Sequence, residues 1–64
     1  MGGEVTSFDD ADGLGEITGE DGAVHPFHCT QIADGSRTIA VGTTVTFEIT
    51  PRLGRWEATA ITPS

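Results

Sequence analysis

The chain has no lysine, and its first 32 residues have no arginine either. Phosphate neutralisation by these two residues usually supplies most of non-specific nucleic-acid affinity. A net charge of −7 is therefore a handicap with any polyanion. Cysteine occurs once, at Cys29, which excludes an internal disulfide. No apolar run approaches the roughly 20 residues of a membrane span, and the N-terminus lacks the basic and apolar regions of a signal peptide. A lone thiol without an export signal makes the cytoplasm the expected compartment and excludes a membrane as partner. Sustained helical periodicity is also missing, which argues against a helical fold.

What is present is strand and turn chemistry. Nine glycines and many β-branched residues predict short strands at Glu4–Asp9, Leu14–Thr18, Val24–Cys29, Thr43–Thr50 and Arg55–Ile61. Asp10–Gly13, Gly19–Gly22 and Pro51–Gly54 supply the turns between them, with Gly13 free to take positive φ. Pro26 cannot donate to a ladder and is expected at a bulge or an unpaired position. Ile32–Val41 reads as a long connection carrying Asp34-Gly35-Ser36, with room for one helical turn. Sixty-four residues make one domain, near the size at which a core holds without staples. Five strands with one long connection between the third and fourth predict an all-β, five-stranded antiparallel OB-type β-barrel, closure removing the sheet edges. The expected core is Val5, Ile17, Phe27, Ile32, Ile39, Val45, Phe47, Ile49, Ala58 and Ile61. Strict alternation puts Ala58 and Ile61 on opposite faces, so the last strand needs a bulge.

The motifs then fall into a recognisable order. Gly3-Glu4-Val5-Thr6-Ser7-Phe8-Asp9 precedes Asp12-Gly13-Leu14-Gly15-Glu16-Ile17, and Pro26-Phe27-His28-Cys29-Thr30-Gln31-Ile32 follows. Downstream come Arg37-Thr38-Ile39, Gly42 and Val45-Thr46-Phe47-Glu48-Ile49. In this register, from about Gly3 to Ile61, the chain resembles the bacterial cold-shock domain family. The second and third stretches stand where that family has its two ribonucleoprotein motifs. The resemblance implies single-stranded nucleic acid as partner, bound by stacking on exposed aromatics while lysines track the phosphates.

The departures gather on that binding surface. Ser7 stands for a tryptophan; Leu14, Glu16, Pro26 and Cys29 stand for phenylalanines; Thr6 and Asp12 replace lysines. Stacked bases contribute ~1–3 kcal/mol each, so these losses together can remove micromolar affinity. Phe8 and His28 remain, with Leu14 between them. Trp56 stands where the family has a proline, Arg52 and Arg55 precede it, and Arg37 lies in the long connection. With His28 they form a candidate displaced platform, Trp56 stacking a base and the arginines holding phosphate. The plainer expectation is a half-buried Trp56 capping the barrel.

Two functions follow. The first is weak, strongly salt-sensitive single-strand binding through Phe8, Leu14, His28, Arg37, Arg55 and Trp56. The second is a protein-interaction module on the same barrel, whose acids Glu4, Asp9, Asp10, Asp12, Glu16, Glu20 and Asp21 meet a basic protein partner. Against partner roles, the acids also read as a solvated, solubilising surface. No cofactor or metal is expected: His25, His28 and Cys29 fall short of four zinc ligands, and His28 and Cys29 diverge if both lie on a strand. Asp10-x-Asp12-Gly13 lacks the outer ligands of a calcium loop. Gly13-x-Gly15 reads as strand and turn geometry rather than a nucleotide loop. His25 is expected to be a partnered, partly buried histidine, and no catalytic set is visible, so the chain is not read as an enzyme.

Overall fold

A computed structural model describes residues 1–33, 35–52 and 54–64, the side chains of Arg52 and Arg55 excepted. Asp34 and Leu53, expected in a loop and a turn, and the two arginine side chains therefore lie outside the described residues. The strands are β1 (Gly2–Asp9), β2 (Leu14–Gly19), β3 (Val24–His28), β4 (Thr44–Arg52) and β5 (Arg55–Pro63). They form one antiparallel sheet in the order β3-β2-β1-β4-β5. This is the expected all-β, OB-type arrangement, except that among the described residues no ladder joins β3 to β5. The chain instead bridges the gap with one parallel pair, Ile32 opposite Ile61, and an Ala33 N–H bond to the Ile61 carbonyl of 2.8 Å.

The turns are local chemistry. The Asp9 carboxylate accepts from the Ala11 and Asp12 amides at 2.9 and 3.4 Å, and Gly13 closes the turn at φ 70°. A left-handed position there favours glycine. Asp21 does the same for Ala23 at 3.0 Å before β3 begins. The helical turn anticipated after Ile32 comes earlier: Cys29–Gln31 is a single 3-10 turn whose N-cap is His28. The third strand thus ends at His28, one residue sooner than expected.

Two register shifts set the faces. On β5, Thr62 pairs with Thr46 but Thr59 with Glu48, which inserts one residue. Ala60 takes φ 52° there, and Ala58 and Ile61 both point inward, as the expected bulge requires. On β1, Val5 faces Ile17 but Ser7 faces Glu16, so Thr6 is the extra residue. This second bulge, absent from the sequence expectation, turns both Thr6 and Ser7 outward and Phe8 inward.

The core consists of Val5, Ile17, Phe27, Cys29, Ile32, Val45, Phe47, Ala58 and Ile61, with Phe8, Ile39 and Ile49 half-buried against it. Cys29 is a correction: at 9% exposure it packs inside rather than standing on the outer surface. Parity explains it, since His25, Phe27 and Cys29 alternate with the outward Val24, Pro26 and His28. His25 is a second correction, because its buried Nε2 has no hydrogen-bond partner among the described residues. The ring packs instead against Phe47, centroids 5.5 Å apart. Pro26 sits directly opposite Glu16 without a bulge. Ladder bonds flank it at Gly19–Ala23 and Cys29–Gly13, and alternation between them makes Glu16–Pro26 a pair without hydrogen bonds. Its missing N–H faces the outer edge of β3 and costs the ladder nothing.

Candidate nucleic-acid interface

The outer face of β1, β2 and β3 is built in cross-strand rows. Leu14 lies opposite Asp9 and His28, Glu16 opposite Ser7 and Pro26, and Thr18 opposite Glu4 and Val24. Such directly opposed side chains touch one another across a sheet. Ser7 donates its hydroxyl to a Glu16 carboxylate oxygen at 3.4 Å, and the Thr6 and Thr18 hydroxyls lie 3.1 Å apart. Ser7, Leu14, Gly15, Glu16, Pro26 and Phe27 line a shallow depression of about 310 Å³. Leu14, Pro26 and Phe27 supply its apolar lining and the Ser7–Glu16 pair its polar lining.

Beneath this face lies the reason for its glycines. Phe8, Gly15 and Phe27 occupy one inward row, and the Phe8 and Phe27 rings stack across it at 5.9 Å with planes 13° apart. A Cβ on Gly15 would come within 2.6 Å of Phe27 Cζ and 2.7 Å of the Ser7 carbonyl oxygen. Gly13 lies over Cys29, whose Sγ a Cβ would meet at 2.8 Å. The Gly13-x-Gly15 spacing is thus strand and turn geometry, set by what packs under it.

The expected site residues divide among three places. Leu14 and His28 are directly paired and exposed, Leu14 at 53%. Arg37 is exposed and shares a small depression with Cys29, Thr30 and Ser36, which places it next to the turn that follows His28. Phe8 is turned inward and half-buried, so the bulge at Thr6 takes it off the outer row. Trp56 lies opposite Pro51 near the end of the β4–β5 hairpin. At 62% exposure it is not the half-buried cap that its size suggests. Its parity matches Ala58, yet the hairpin carries it beyond the core. The backbone of Arg55 pairs with Arg52, and its side chain lies outside the described residues.

His28 is oriented by its own turn. Its Nδ1 receives the Thr30 amide at 3.2 Å and lies 3.0 Å from the Thr30 hydroxyl. A backbone N–H can only donate, so Nδ1 accepts and the neutral ring carries its proton on Nε2. That leaves one N–H donor, Nε2, on an exposed residue. Cys29 Sγ comes to 3.9 Å of the same Nδ1. The two side chains still take opposite sides, His28 exposed and Cys29 buried, with the sulfur lying close under the ring nitrogen. No group of three or more metal-ligating side chains occurs among the described residues.

Sequence reasoning missed two contributors, Ser7 as the partner of Glu16 and Thr30 as the anchor of His28. Opposed registers on β1 and β2 carry the first signal. The second lay in a Thr two residues after a histidine at a strand end.

A five-stranded antiparallel sheet in this order, with its long connection between the third and fourth strands, defines the class of small OB-type domains. Within that class, the sequence model of the "cold-shock" DNA-binding domain matches residues 1–64, and the chain belongs to the cold-shock domain family. The family is one of non-enzymatic nucleic-acid binders. Comparison with curated proteins returned no match.

Proposed function

We propose that this domain binds single-stranded nucleic acid weakly, over the outer face of β1–β3 and outward to Arg37, Arg55 and Trp56. One observation carries the reading: an exposed Leu14–His28 pair and an exposed Trp56 remain on a cold-shock fold whose other stacking positions are polar or small. Leu14 and the half-buried edge of Phe8 give apolar contact, His28 Nε2 donates, Trp56 stacks a base, and the arginines hold phosphate. The binding occurs in the cytoplasm, where a single thiol such as Cys29 stays reduced. With three arginines as the available cations, affinity falls by at most about two decades per decade of salt.

The test is an amide NMR titration with a short pyrimidine-rich single strand at low and at physiological salt. Shifts at Leu14, His28, Arg37 and Trp56 that fade with salt, and that weaken in Trp56→Ala, are the expected result. A spectrum unmoved at low salt removes the reading.

A second reading is supported by the acidic surface. Glu4 and Glu20 flank a groove of about 500 Å³ that also contains Gly2, Thr6, Thr18 and Thr44. No described cation pairs with either carboxylate. A lysine- or arginine-rich protein segment fits that groove by charge, and would be the partner if the single strand leaves the spectrum unchanged.

A further inference from the structure

Glu16 is the least expected residue on this face, since a carboxylate at its centre repels phosphate. Its surroundings are those of a small recognition pocket. It stands in the middle row between Ser7 and Pro26, inside the 310 Å³ depression whose other walls are Leu14, Gly15 and the edge of Phe27. The Ser7 hydroxyl lies 3.4 Å from one carboxylate oxygen, a long contact that biases its direction, while the second oxygen accepts from no described group. An apolar lining with a small number of polar groups is how pockets orient a flat ligand.

From this geometry we infer that Glu16 selects guanine in a bound single strand, by accepting from its Watson–Crick edge. This deepens the nucleic-acid reading above and rests on it. A carboxylate offers two oxygens that accept and none that donates. Unstacked bases in a single strand present their Watson–Crick edges to side chains. Uracil and thymine present one N–H between two carbonyl oxygens, which face the carboxylate with like partial charge. Adenine and cytosine present an amino group beside a ring nitrogen that itself accepts. Guanine alone presents two adjacent donors, N1–H and the N2 amino group, spaced to meet both carboxylate oxygens. Leu14 and Pro26 then contact the two ends of the base, and no aromatic is required to orient it. A residue that weakens binding of strands in general thereby becomes the one that distinguishes among them.

The experiment titrates the intact domain with three strands at low salt, followed by amide NMR. They are a thymine heptamer, the same heptamer with a central guanine, and one with inosine, which lacks the N2 amino group. The guanine strand should bind about fivefold or more tightly than the thymine strand, with inosine between them. In Glu16→Gln the difference between guanine and inosine should vanish, since an amide cannot accept at both positions. Glu16 is exposed, so this variant is expected to keep the wild-type spectrum. Equal affinity for all three strands overturns guanine selection and leaves nucleic-acid binding intact. A guanine preference that persists in Glu16→Gln overturns Glu16 as its source. Absence of binding by every strand overturns the inference together with the function it rests on.

Discussion

Gly15 and Glu16 are neighbours on β2, yet the rows they belong to have little in common. The Gly15 row runs inward through Phe8 and Phe27, two rings stacked across a position that cannot hold a Cβ. The Glu16 row runs outward through Ser7 and Pro26, and nothing in it packs tightly. The inward row has to satisfy the fold, because each atom there is in van der Waals contact with others and a change of one methyl is felt. The outward row answers only to whatever it binds. A surface free of packing constraints can exchange its chemistry while the barrel stays the same.

The sharpest way to break the comparison is at Phe27. Its ring is fully buried, and Phe27→Ala should cost ~3–5 kcal/mol, enough to leave a domain of this size largely unfolded in urea titrations. A loss near zero would mean that the inward row is not the keystone of the fold. Next is Gly15→Ala, where the added methyl meets Phe27 and the Ser7 carbonyl at under 3 Å. Overpacking of that kind should cost ~1–3 kcal/mol in the same measurement. The smallest effect on stability belongs to the outward row. Asp12→Lys with Glu16→Phe should shift it by no more than about 0.5 kcal/mol. The same pair should raise single-strand affinity roughly 5- to 100-fold by restoring a stacking ring and a cation. Stability unchanged but affinity flat would show that the outer face has lost the shape for stacking as well as the residues.

Much of the inward row was legible from sequence. Alternation in Val45, Phe47 and Ile49 marks β4, and the conflict between Ala58 and Ile61 marks the β5 bulge. The same conflict exists between Val5 and Phe8, three residues apart and both apolar, but the resemblance placed Phe8 on the binding face and hid it. Cys29 was misplaced for the same reason. Its parity with Phe27 pointed inward, whereas the family position pointed outward, and parity won because β3 continues straight to the 3-10 turn. Ile39 and Ile49 are half-buried rather than central, since one lies in the long connection and the other near the outgoing hairpin. The outer face was less legible. Whether Trp56 is capped or exposed depends on how far the β4–β5 hairpin reaches past the core, and residue pattern does not encode that distance.

Pro26 has a consequence for how this protein behaves in a crowd. No ladder joins β3 to β5 among the described residues, so the backbone groups on that margin of β3 have no strand partner there, although β5 packs beside it. Open margins of that kind are where folded proteins begin to associate edge to edge. Pro26 removes the central donor of the row, and the charges crowded into the first half of the chain repel any identical copy that approaches. The residue that faces Glu16 on the outer side is, seen from the margin, one donor fewer for a further strand to use.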